Sequence, residues 1–89
     1  MAIWRIRKVT EITGHRSKTS VYNAAQAGLL TKPVAIGLRS VGWPDYEVEA
    51  VTAARVAGQP EEAIRALVNK LHAQRAERFE ALTQTVAHA

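Results

Sequence analysis

Gly14, Gly28 and Gly58, together with Pro33, Pro44 and Pro60, cut this chain into short pieces. Glycine and proline are the strongest local punctuators of backbone structure, so whatever forms before Pro60 must be assembled from helices of a few turns and strands of a few residues. Only the stretch after Pro60 is free to run long.

The pieces differ in pattern. Residues 2–9 alternate loosely, with Ile3, Ile6 and Val9 among bases, which predicts a short strand or extended arm running into a first helix. The run from Lys8 to Thr13 is about two turns at most and stops at Gly14, a residue suited to left-handed backbone after a helix. Ser17 is then an N-cap, its hydroxyl placed to accept from an unpaired amide of the next turn. It predicts a helix from Lys18 to about Ala27, halted by Gly28. At about 100° per residue, Val21, Ala24 and Ala25 share one side of that helix. Thr19, Asn23 and Gln26 share the opposite side, with Lys18 and Tyr22 on its flank. The helix is thus small and apolar inside, polar and hydrogen-bonding outside.

Residues 32–43 read as a two-stranded hairpin, Val34 and Ile36 before a tight Gly37-Leu38 turn and Arg39, Val41 and Trp43 after it. Pro44 opens a further helix with Asp45, Glu47 and Glu49 early, where the helix dipole favours acids. Val48, Val51 and Val56 give it an apolar side, and Gly58 ends it. Pro60-Glu61-Glu62 starts a last helix predicted to run about 20–25 residues.

With 89 residues there is room for one compact domain and one extra helix, and a hydrophobic share of 47% argues against wholesale disorder. Cysteine is absent, which excludes a disulfide framework or thiolate zinc site and fits a reducing cytoplasm. Residues 1–11 hold no apolar run of signal-peptide length, and no stretch approaches the roughly 20 apolar residues that cross a bilayer. Charge is unevenly spread. Residues 1–43 carry seven bases against Glu11 alone, for +6, while residues 44–89 carry five bases and seven acids, for −2. A basic first half beside a mildly acidic second half points only the first toward a polyanion.

The order is helix, sharp turn, polar-faced helix, hairpin, helix: a winged helix-turn-helix, mainly α with a small β-hairpin wing, plus a long C-terminal helix. The division expected is a DNA-binding domain over residues 1–58 and a helix for packing or self-association over residues 59–89. The stretch Arg7–Val48 resembles the AlpA-type prophage regulators and excisionases, which share a MerR-like winged helix-turn-helix. The residues that carry the resemblance are Val9 through Thr13-Gly14, Ser17-Lys18-Thr19-Ser20-Val21-Tyr22, Gly28, Lys32-Pro33-Val34 and Ile36-Gly37. They continue in Arg39-Ser40-Val41-Gly42-Trp43 and Glu47-Val48. The chain departs from that pattern in a turn, Gly14–Ser17, one residue longer, and in Asn23, where a base is common. Site preference is therefore not carried over from the family.

A helix fits the major groove, where each base pair shows a distinct donor and acceptor pattern, and a basic hairpin beside it adds phosphate contacts. The candidate DNA-binding residues are Arg16, Ser17, Lys18, Thr19, Ser20, Tyr22, Asn23 and Arg39. Thr19, Ser20 and Asn23 are the expected base readers. Arg16 and Lys18 at the helix start, and Arg39 on the wing, are the expected phosphate contacts. Tyr22 is expected to pack its ring on the core edge with its hydroxyl outward, and Trp4 and Trp43 are expected in the core. The spacing of His15, His72 and His88 matches no zinc signature, and no nucleophile is paired with a base, so no metal, cofactor, small-molecule ligand or enzymatic activity is expected.

In the last helix Ile64, Leu67, Val68 and Leu71 form an apolar stripe that Phe79, Leu82 and Val86 continue, with Arg75 and Arg78 interrupting it. Two patches are expected: a proximal one packed on the winged domain, and a distal one, Phe79 and Leu82, for oligomerisation with an adjacent copy on DNA or for contact with an integrase, the alternative being a helix that frays over its last ten or so residues. The reading that follows is a bacterial, cytoplasmic, nucleoid-associated protein of a mobile genetic element. It would bind double-stranded DNA as an excisionase (recombination directionality factor) or transcriptional regulator. The alternative is a protein–protein interaction module built on a helix-turn-helix fold.

Overall fold

The computed structural model describes the backbone of residues 2–88 and the side chains as far as Gln84. The expectations placed on Val86 and His88 fall on side chains outside the described residues. The elements are β1 (Ile3–Trp4), α1 (Ile6–Thr13), α2 (Lys18–Gln26), β2 (Val34–Ala35), β3 (Val41–Pro44), α3 (Asp45–Val56) and α4 (Glu61–His88). The result is a mainly helical winged helix-turn-helix with a long C-terminal helix.

The helix-turn-helix forms where its breakers stand. Gly14 and Gly28 close α1 and α2 with φ of 75° and 80°, left-handed backbone that a side chain at either position would strain. Between them the Ser17 hydroxyl accepts from the Ser20 amide at 3.2 Å, so α2 begins with one of its free donors satisfied. Helix α1 starts at Ile6, earlier than the Lys8 expected, because the arm before it needs only two residues to pair as a strand.

The sheet is larger than a hairpin. Strand β3 lies in the middle, antiparallel to β2 on one side and to β1 on the other, with Trp4 opposite Trp43 and Ile3 opposite Pro44. The Ala2 carbonyl accepts from the Asp45 amide at 2.8 Å, satisfying a free donor at the start of α3. Pro44 therefore ends β3 as well as flanking α3, whose first helical residue is Asp45.

The expected two-residue turn is corrected. Val34 pairs with Gly42 and Ala35 with Val41, and the Ile36 amide donates to the Ser40 carbonyl at 2.8 Å, so Gly37, Leu38 and Arg39 all lie in the tip. Gly37 does not adopt left-handed backbone. Gly42 explains the register: a Cβ there would lie 2.6 Å from Ile3 Cγ2, 2.7 Å from Ile36 Cδ1 and 3.0 Å from the Trp4 carbonyl oxygen. Only a residue without a side chain lets the two isoleucines close over the middle strand.

One core serves every helix. Val9 of α1, Val21 and Ala24 of α2, Leu30, Trp43 of β3, Val48 and Val51 of α3, and Ile64, Val68 and Leu71 of α4 form a single buried cluster. Each fully buried aliphatic side chain contributes about 1.5–3 kcal/mol. Small domains are stable by only about 5–15 kcal/mol, so the three residues from α4 are a large share of what holds the molecule together. Val56, expected on the apolar side of α3, is 84% exposed, since the last turn of that helix has passed the edge of the core.

Arg75 is the main surprise. It does not merely interrupt a stripe: its guanidinium donates to both carboxylate oxygens of Glu47, at 2.6 and 2.8 Å, and to the Lys32 carbonyl at 2.7 Å. Glu47, expected as an acid favoured by the dipole at the start of α3, is fully buried. A buried carboxylate demands a partner of opposite charge with hydrogen bonds to both oxygens, and the planar fork of arginine supplies them. Arg78, the other interrupting base, lies over the Tyr46 ring at 4.0 Å.

Candidate nucleic-acid interface

Helix α2 turns its small side inward. Val21, Ala24 and Ala25 are buried, while Arg16, Ser17, Lys18, Thr19, Tyr22, Asn23 and Gln26 are exposed and Ser20 is half-buried. The only way to bury an alanine-rich face this closely is to bring the helix backbone near the core, which leaves its outer face proud of the surface. No acid lies in the first turn of α2, and Arg16 and Lys18 flank it. The free amides and positive dipole end of a helix start, with two cations beside them, favour an anion there.

Tyr22 is fixed at the edge of this face by its ring, which lies 5.8 Å from that of Trp43 at an interplanar angle of 50°. Trp43 is fully buried, and its indole N–H donates to the Thr31 carbonyl at 2.7 Å. The structure thus separates the two tryptophans. Trp43 is a core residue, and Trp4 is half-buried, with the Lys8 ammonium 5.7 Å above its ring. Arg39 stands exposed in the wing tip beside Leu38, whose side chain touches nothing that shields it from solvent.

The eight expected residues fall on two elements. Arg16 to Asn23 come together at the start and outer face of α2, and Arg39 stands apart on the wing. A second group was missed: Arg5, Arg7 and Lys8, at the start of α1, line a depression with Lys18. The Arg5-Ile6-Arg7-Lys8 run was the available signal. Arg7 lies 4.0 Å from Glu11, a pair too exposed to neutralise it. Lys32 is also near: it lines a shallow depression with Tyr22, Gln26 and Pro33, between α2 and the wing.

Both described histidines are held below their ordinary imidazole value of 6.5. For His15 the causes are burial and then the nearby charge of Arg55; for His72 they are burial and then Arg75, with Lys32 adding to it and Glu47 opposing. His72 Nε2 accepts from the Lys32 amide at 3.0 Å, a role only the neutral ring can fill. The hydrogen bond to Glu47 lifts Arg75 further above its ordinary range. Among the described residues there is no cluster of three or more His, Cys, Asp or Glu side chains able to hold a metal ion. No described helix is long and apolar enough to cross a membrane.

Beyond the cationic face, an apolar groove runs between the sheet and α4, lined by Ile3, Val34, Tyr46, Phe79 and Leu82. Phe79 and Leu82 are 71% and 63% exposed. The family model described as Prophage CP4-57 regulatory protein (AlpA) matches the chain over residues 2–56. No curated protein and no solved structure matches the chain.

Proposed function

We propose that this chain, which belongs to the AlpA family of prophage regulatory proteins, regulates by binding double-stranded DNA, with α2 in the major groove and the wing on the adjacent backbone. One observation carries the reading. The polar face of α2, with Thr19, Asn23 and Gln26, is exposed to solvent, while the residues between them seat the helix on the core. Thr19, Ser20 and Asn23 are the base-reading residues of this proposal. Arg16, Ser17, Lys18, Tyr22 and Arg39 hold phosphates, and Arg5, Arg7 and Lys8 extend the same cationic surface along the backbone.

The deciding experiment is a titration of the DNA flanking the protein's own gene across a range of salt concentrations. Phosphate neutralisation releases counterions, so affinity should fall steeply and linearly on a log–log plot. Affinity that ignores salt would sink the reading and favour an interaction module on a helix-turn-helix fold.

The protein's role on DNA is a regulator of a mobile element, acting at a promoter, as an excisionase, or both, in the cytoplasm and on the nucleoid. The groove at Phe79 and Leu82 favours assembly of adjacent copies, with an integrase as the further partner. Replacing both residues with serine should abolish cooperative filling of neighbouring sites and leave single-site affinity within about twofold. Footprinting separates the roles: one short protected site marks a promoter regulator, and a long periodic one beside an integration junction marks an excisionase.

A further inference from the structure

The connector from α2 to the wing, residues 27–33, has no regular structure, yet its backbone is held at four points by side chains. The Ala27 carbonyl accepts from Arg65 Nε at 3.0 Å, and the Thr31 carbonyl from the Trp43 indole at 2.7 Å. The Lys32 amide donates to His72 Nε2 at 3.0 Å, and the Lys32 carbonyl accepts from Arg75 at 2.7 Å. Three of the four partners come from α4, at spacings of seven and three that place them along one helix face. Arg75 is in turn locked by the buried Glu47 of α3.

We propose that α4, through Arg65, His72 and Arg75, sets the angle between α2 and the wing, making these three residues positioning residues for the two-point grip on a duplex. The inference rests on the duplex reading above and names what makes the grip rigid.

Strand β3 ties the inner side of the wing to β1 and α3, whereas the outer side, which follows α2, pairs with β3 alone. Strand β2 is two residues long, and Ile36, Leu38 and Arg39 beyond it are exposed. Apolar contact at its base would permit sliding, because the hydrophobic effect has no preferred direction. Hydrogen bonds to named backbone atoms do have one. A buried ion pair is also a poor device for stability alone, since apolar residues of similar volume often serve as well. Its use here is to fix where Lys32 sits, one residue before Pro33 and two before the first strand residue of the wing. A wing held in advance loses less freedom on binding, so Arg39 delivers its full contribution.

The test is a double-mutant cycle between the clamp and the wing tip. Arg65→Met, His72→Met, Glu47→Met and Arg75→Met together remove the clamp without stranding a buried charge, and cooperative thermal unfolding verifies that the variant folds. In the natural chain, Arg39→Ala should weaken duplex binding by about tenfold or more, the scale of a lost charged hydrogen bond. In the clamp-free chain the same change should cost less than about twofold. Glu47→Gln, which keeps an acceptor for Arg75, should restore most of the effect of Arg39→Ala. An equal loss in all backgrounds overturns the proposal. The orientation of hairpin amides relative to α2 amides, from residual dipolar couplings of the free protein, tests it without DNA. It should change in the clamp-free chain, and an unchanged orientation overturns the proposal even if no duplex is bound.

Discussion

Asn23 and Arg39 stand on different elements, and their replacement should be felt in different measurements. Arg39→Ala should weaken binding to all sequences alike and reduce the salt slope by about one, as expected for a phosphate contact. Asn23→Ala should leave that slope nearly unchanged and relax discrimination between sites by about 1–3 kcal/mol, the value of a bidentate base contact. Competition assays with specific and random duplexes check both, and matching losses on the two duplexes for Asn23→Ala would contradict its role. The orientation of these side chains was legible in the sequence, because helical period alone puts Asn23 opposite Val21 and Ala24. The partnership of Glu47 and Arg75 was not. They lie 28 residues apart on different helices, and each read locally as something ordinary, an acid in a first helical turn and a base interrupting a stripe. Arg75→Ala should destabilise the fold by about 3–5 kcal/mol, since it leaves the Glu47 carboxylate buried without its partner, and chemical denaturation measures this.

At the scale of elements, the breakers did their work. Gly14, Ser17 and Gly28 locate two helices whose bounds differ from expectation by a residue or two, because caps and left-handed turns are local chemistry. Strand pairing is not local. The short strand expected within residues 2–9 forms at Ile3-Trp4, but nothing in those residues says which strand it joins, and the hairpin register depends on Gly42 receiving Ile3 and Ile36 from the two flanking strands' sides. Gly42→Ala should therefore cost about 1–3 kcal/mol in thermal unfolding, the usual penalty for an added methyl where no space exists. Its effect should concentrate in the sheet, with amides of residues 34–36 and 41–43 exchanging faster and those of α2 retaining their protection. An unchanged midpoint would mean that the two isoleucines move aside freely.

Across the whole molecule, α4 unites what the sequence separated into a domain and an appended helix. Its stripe of Ile64, Val68 and Leu71 announced the docking, and its length, 28 residues or about 42 Å at 1.5 Å per residue, accounts for the 45 Å long axis. Two histidines, His72 on the polar side of that docking and His15 in the turn before α2, make stability depend on pH. His15 and His72 are harder to protonate in the folded chain than in the unfolded one. The folded state then binds fewer protons, so their contribution is complete above the ordinary imidazole value of 6.5 and declines as pH falls below it. The thermal midpoint should be level through neutral pH and drop on acidification, and His15→Gln with His72→Gln should flatten the drop; a slope unaltered by the pair would assign it to other groups. The sealed carboxylate of Glu47 has a historical consequence as well. Arg75 cannot be lost while the Glu47 carboxylate stays buried, and Glu47 can change first only to a residue such as glutamine that still accepts from Arg75, so a survey of relatives should find the two positions covarying.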